Sequence, residues 1–394
     1  MTKGRAGVLV GLFAIALALR PQIVGIGPLL PEIQLDFDLS HAVAGLLGTI
    51  PVLCMGLFAP PSAYVSGWIG SRAAIGAAVA LIGVAGVARA FAPGAAGVLL
   101  LTLPVGIGIA VAGTLLPVAV KERFGDRPAY ATGMYATGIN AGAMLAAATA
   151  VPLAALGSWR TALAVFSGVT IVLALVWFVQ TAREPPHRRL DVRPPKLPVR
   201  SGVAWILVAM FGLLGTAYYG LSAWMPDSFV ERGWSEQSAG ALLAVMQAGG
   251  IPGSLAVSAL ADRFGSRRRY LVACSAITAA SVAGMILLPE AGWAWAALGG
   301  CAIGALFALT MTLPLDVADD PLQVGAVAGL MLGAGYCISG LSPFVLGVMR
   351  DATGNFTGSL WLIVGTSSVY LVLGSTLTRE RLHRGISTVA PTAP

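Results

Sequence analysis

Charge is what this sequence has least of. Asp, Glu, Lys and Arg make up 10% of its 394 residues, while 57% are hydrophobic; a soluble domain carries about 25% charged residues. The shortage excludes an ordinary soluble enzyme or nucleic-acid-binding module and predicts an all-α membrane protein. Histidine is nearly absent: His41, His187 and His383 fall at span ends or in loops, which gives an intramembrane metal centre or proton relay no imidazole to use. The four cysteines, Cys54, Cys274, Cys301 and Cys337, have no paired spacing and sit inside apolar runs. They read as small buried hydrophobes, so neither disulfides, nor a metal, nor any cofactor is expected. No strand precedes the glycine runs, so Gly106, Gly108 and Gly113 in "LPVGIGIAVAG" read as helix-packing seams and not as a nucleotide loop. All 17 carboxylates can be placed toward one or other membrane face; the nearest to mid-depth is Asp316, at the inner end of a span.

What is present is long apolar runs. A bilayer core about 30 Å thick needs roughly 20 apolar residues per helix, and twelve windows qualify, near 8–30, 42–66, 73–92, 96–119, 129–155, 160–180, 203–226, 237–260, 270–289, 292–315, 324–348 and 358–378. The opening "MTKGRAG" and the length of the run behind it do not fit a cleaved signal peptide, so the first window reads as a retained helix. With the amino terminus in the cytoplasm, 19 of the 24 Lys and Arg fall on cytoplasmic segments, and Arg89, Arg160, Arg232 and Arg350 fall outside or at the outer edge. The positive-inside rule thus predicts a multi-pass protein of the cell membrane with both termini cytoplasmic. The net charge of +7 expresses topology and implies no nucleic-acid partner. One cation is left over, Arg20, inside the first span.

The chain also repeats itself. Pro31, Ser40, Ala44 and Gly45 recur at an offset of 195 as Pro226, Ser235, Ala239 and Gly240, and "GSR" at Gly70 recurs at Gly265. The expected division is a six-helix half over 1–181, a Pro- and Arg-rich cytoplasmic linker over 182–202, a second half over 203–380 and a tail over 381–394. Six plus six helices in a parallel repeat is the arrangement of major facilitator transporters. The loop "SALADRFGSRR" resembles that superfamily's cytoplasmic signature: Asp262, Arg263, Gly265 and Arg267 match it, while Ser258 and Ser266 depart from it. In the first half only Gly70 and Arg72 survive, with Gly67 in the acid's slot. The resemblance implies that Asp262, Arg263, Gly265, Arg267 and Arg72 form a conformational latch. Within the superfamily, "LRPQIVGIGPLLPEI", "GSWRTAL", "YYGLSAWMP" and "GYCISGLSPFVLGVMRDATG" resemble the cyanate and 2-nitroimidazole transporter family over most of the chain.

A charge near the bilayer centre costs several kcal/mol, so Arg20 is the first candidate for function. It lies roughly 20 Å into its helix at 1.5 Å per residue. Asn140, Tyr218, Tyr219, Gln247 and Tyr336 fall at comparable depth on other spans, and one ring of these side chains around Arg20 is expected. Arg20 offers five donors to a small planar anion, and Trp224 is expected as an apolar wall near the outer mouth. Neighbouring residues differ by about 100° around a helix, so one of Tyr218 and Tyr219 is expected to point away. A structural alternative for Arg20 is bonding to the backbone carbonyls that Pro21 frees.

The expected function is alternating-access transport of a small anionic or polar planar solute such as cyanate or a nitroimidazole-like compound, with Arg20 as anchor. The alternative is efflux of drugs or toxic compounds. Importing an anion against an inside-negative potential costs about 2.3 kcal/mol per 100 mV, so uphill uptake needs a coupling proton, another cation or an exchanged anion. The expected partners are the solute and the lipid around a monomer. No catalytic constellation appears at mid-depth, so an enzyme is not expected.

Overall fold

The structure, a computed structural model, describes residues 3–124, 128–182, 197–264, 267–317 and 320–377. Most of the expected linker, Gly265 of the expected latch and the tail therefore lie outside the described residues. Among the described residues every regular element is helical, and twelve helices are long and apolar enough to cross a membrane.

The first helix, α1, is built in pieces: Lys3–Ala18, Pro21–Val24, a 3-10 turn over Gly27–Leu29, and Leu30–Phe37. Then come α2 (41–69), α3 (71–90), α4 (Ala95–Phe124), α5 (Pro128–Ala154) and α6 (Trp159–Gln180). The second six are α7 (Gly202–Val230), α8 (Glu236–Phe264), α9 (Arg267–Leu287), α10 (Gly292–Val317), α11 and α12 (Thr357–Thr376). Helix α11 is also broken, running Pro321–Gly340 and resuming over Ser342–Thr353. The α1–α2, α7–α8 and α11–α12 connections share one membrane face, which the charge pattern predicts to be outside; it is termed the outer face.

The helices outrun the apolar windows because helix growth ends at a cap, not where lipid ends. Asp38 at φ 51° closes α1 and Gly354 at φ 77° closes α11, both left-handed stops. Helices α2 and α3 are joined at Gly70, whose φ of 86° and ψ of 153° only glycine adopts at low cost. The surviving glycine of the first-half signature is thus a backbone requirement of the hairpin.

Lipid tails are as apolar as the helices, so association depends on close packing. A Cβ on Gly106 would stand 2.8 Å from the Pro51 Cα, and one on Gly108 2.6 Å from the Ala78 carbonyl oxygen, as expected of a packing seam. Gly253 and Gly304 serve α8 and α10 in the same way, against the carbonyls of Cys301 and Gly250. All four cysteines are free, and among the described residues no group of His, Cys, Asp and Glu is placed to hold a metal.

Candidate functional site

Arg20 sits at the break in α1, and its neighbour causes the break. Pro21 has no N–H to offer the Leu17 carbonyl one turn back. The Leu19 N–H turns instead to the Ala16 carbonyl at 3.3 Å, and the helix restarts with Pro21 in its first turn. Gly142 of α5 lies against the Leu17 carbonyl, an approach a side chain would block.

The Arg20 guanidinium turns away from this backbone. Its Nη1 donates to the Tyr219 hydroxyl of α7 at 3.2 Å, and its Cζ stands 5.7 Å from the centre of the Tyr218 ring. The expectation that one of these tyrosines points away is wrong. Their rings meet edge-to-face at 5.0 Å and both reach Arg20, because long aromatic side chains span the 100° step between neighbouring helix positions. The Tyr218 hydroxyl donates to Gln247 Oε1 of α8 at 3.1 Å, and Gln247 Nε2 donates to Ser222 Oγ at 3.3 Å. Tyr336 of α11 packs edge-on against Phe211 at 4.9 Å and lies within electrostatic reach of Arg20 and Tyr219.

Four of the six expected companions of Arg20 therefore gather: Tyr218, Tyr219, Gln247 and Tyr336. Asn140 donates to the Ala136 carbonyl of its own helix at 3.1 Å. Trp224 is 1% exposed, and its indole N–H donates to the Pro343 carbonyl at 2.7 Å. It is a plug between helices and offers a solute no wall in this arrangement. Arg20 is half-buried, and among the described residues its ion-pair partners include no carboxylate within 4 Å. The site is a cation with aromatic and amide neighbours and spare donor capacity.

Outward of Arg20 the two six-helix halves meet. The Tyr219 side closes onto a cavity of about 10 Å³ between Ile23, Gly27, Ser222 and Pro343, room for about one water. Further out, the Phe344 N–H donates to Thr49 Oγ1 at 3.1 Å, and Asp351 bonds His41 and Ala42. A larger recess of about 230 Å³ opens between α1, α5 and α8, but Glu32 and Glu236 line it, which disfavours an anion there.

Two features escaped the sequence reading. Arg89, expected at the outer edge, is completely buried: its guanidinium donates to Gln22 Oε1 and, at 3.3 Å, to Thr102 Oγ1. Gln22 in turn donates to Ser167 Oγ at 3.0 Å. This network ties α3, α4 and α6 to the segment of α1 just beyond Arg20. The signal was Gln22 itself, an amide two residues from Arg20 inside the first span. The second is a pseudo-symmetric pair of inner-end clusters. Arg267 at the start of α9 pairs with Asp316 at the end of α10, and Ser71 at the start of α3 donates to Glu122 at the end of α4. Arg123 reaches the same carboxylate at 3.2 Å. Of the other expected latch residues, Arg263 is exposed on α8, and the Arg72 carbonyl accepts from the Trp177 indole at 3.0 Å. Asp262 falls on α8, with its side chain outside the description.

Twelve membrane-crossing helices around a central polar cluster define a multi-pass membrane transporter. The chain belongs to the Major Facilitator Superfamily, whose model matches residues 8–343. It is 32% identical to the cyanate transport protein CynX of Escherichia coli K12, over 89% of this chain and 91% of that protein. It is 28% identical to the 2-nitroimidazole transporter of the same organism, over 96% and 97% of the two chains. Among solved structures, the fold is similar to a bacterial homologue of the human lysosomal transporter Spinster, with a TM-score of 0.78, 18% identity and full coverage of both chains. It is also similar to the D-xylose-proton symporter, with a TM-score of 0.76, 16% identity and 95% and 98% coverage.

Proposed function

We propose that the chain carries a small anionic or strongly dipolar planar solute across the cell membrane by alternating access, with Arg20 as its anchor. The observation that carries this reading is the half-buried guanidinium at the break in α1, directed to Tyr219 and lying beside Tyr218. A planar fork of donors matches a linear or planar anion, and the tyrosine faces suit a flat π-system beside it. Likeness to carriers of cyanate and 2-nitroimidazole supports the same class: one is a small anion, the other a flat polar heterocycle.

Tyr336 belongs to the proposed site beside Arg20, and Asn140 and Trp224 belong to it as residues that join when the halves move. The inner-end residues Arg72, Asp262, Arg263, Gly265 and Arg267 are proposed as the latch, and both termini as cytoplasmic. The test is solute binding to purified full-length protein, read as a thermal shift across a panel of small anions and their neutral isosteres. A shift with cyanate or nitroimidazoles that disappears in Arg20→Ala supports the reading. A shift only with bulky apolar compounds, unchanged in Arg20→Ala, overturns it in favour of drug efflux.

A further inference from the structure

At the outer face one histidine of the first half is set between two carboxylates of the second. His41 opens α2. Its Nδ1 lies 2.8 Å from Asp351 Oδ1, and its Nε2 lies 3.7 Å from Asp227 Oδ2. The same Asp351 carboxylate accepts the backbone N–H groups of His41 at 3.0 Å and Ala42 at 2.9 Å. These are first-turn donors of a long helix, which favour an anion. The ring is walled by Trp224 and Phe356, each with its centroid 5.6 Å from the imidazole.

The proton count follows from the geometry. Asp351 is acceptor-only as a carboxylate, so Nδ1 carries a hydrogen. In the neutral imidazole Nε2 is then a bare acceptor, and it faces Asp227 Oδ2, a buried oxygen with no hydrogen-bond partner. Lone pair faces lone pair unless one further proton sits between them. With that proton the imidazolium lies between two carboxylates, one on α7 and one on α11. The charged groups that bear on Asp227 from beside it, Glu231 and Arg350, are engaged with each other at 2.5 Å. The His41 side chain keeps 19% of its surface exposed, so outside water supplies the proton.

We propose that His41, Asp227 and Asp351 form a proton-binding site, filled from the outer aqueous side, whose occupancy holds the two halves together at that face. Its proton thereby sets the balance between the closed and open outer face, a proposal that rests on the alternating-access reading above. Opening to the outside parts His41 from both carboxylates and releases the proton. By reciprocity, closure raises proton affinity by the factor by which the proton favours closure. One linked proton gives a population ratio that changes by at most about tenfold per pH unit.

The test needs no solute. Spin labels at Leu35→Cys on α1 and Leu288→Cys beyond α9, both exposed, are placed in full-length protein whose four native cysteines are replaced. Their distance distribution is read from pH 5 to pH 9. The short, closed-gate distance should dominate at pH 5, and a longer one should grow as pH rises. In His41→Gln and in Asp227→Asn the distribution should no longer follow pH. In Arg20→Ala the pH response should persist, which separates this proposal from the solute assignment. A distribution that ignores pH in the parent protein, or that follows it equally in His41→Gln, overturns the proposal.

Discussion

Arg20 and Tyr219, 199 positions apart in the chain, meet through one hydrogen bond of 3.2 Å that joins the first half of the protein to the second. A charge-assisted bond of this kind contributes about 1.5–3 kcal/mol. Because the guanidinium keeps further donors, the same energy is open to a bound solute. The Arg20–Tyr219 contact is a resting partner for a group whose task is to hold something else.

Arg20→Ala should weaken solute affinity by about 10- to 100-fold, and Arg20→Lys should recover little of it, since an ammonium cannot reproduce the planar fork. Isothermal titration with cyanate and with a nitroimidazole reads both. Equal affinity in all three proteins would remove Arg20 from the site.

Tyr218→Phe should separate stacking from hydrogen bonding. It keeps the ring beside Arg20 and removes the hydroxyl that holds Gln247. A loss of about 1 kcal/mol in affinity, with the fold unchanged by circular dichroism, is expected for one neutral hydrogen bond.

Arg89 makes a stability prediction that reaches the site indirectly. Arg89→Ala should lower stability by about 2–4 kcal/mol, because it leaves a void and strands the Gln22 carbonyl. Arg89→Met with Gln22→Leu should recover part of that loss by removing both polar partners at once, while Ser167 keeps its bond to the Leu163 carbonyl at 2.6 Å. Thermal unfolding in detergent compares the single and double variants.

Gly27 marks where the halves touch backbone to backbone. A Cβ there would fall on the Ser222 carbonyl of α7, and backbone does not yield as a flexible side chain does. Gly27→Ala should disfavour the closed outer face and lengthen the distance between labels at Leu35→Cys and Leu288→Cys at every pH. An unchanged distance would show that this contact does not set the closure of the outer face.

Arg267→Gln should cost no more than about 1 kcal/mol, since its pair with Asp316 is partly exposed and such pairs contribute little. A transport rate that falls far more than stability would support the latch role for this residue.

The sequence by itself determined the twelve crossings, the repeat at offset 195 and the depth of Arg20. Each follows from local rules: apolar runs of bilayer length, self-similarity along the chain, and the cost of a charge in hydrocarbon. It also picked out Tyr218, Tyr219, Gln247 and Tyr336, because polar groups at one depth on several helices are countable without a fold. Tertiary structure decided which of these meet. Asn140 satisfies its own helix and Trp224 is spent on Pro343, and depth alone cannot distinguish such residues from their neighbours, because rotation about each helix axis is set by packing. The setting of Arg89 and the bridge from His41 to Asp227 and Asp351 were equally out of reach of sequence. A residue at the end of a span reads as exposed until other helices close over it, and those partners lie between 13 and 310 positions away along the chain.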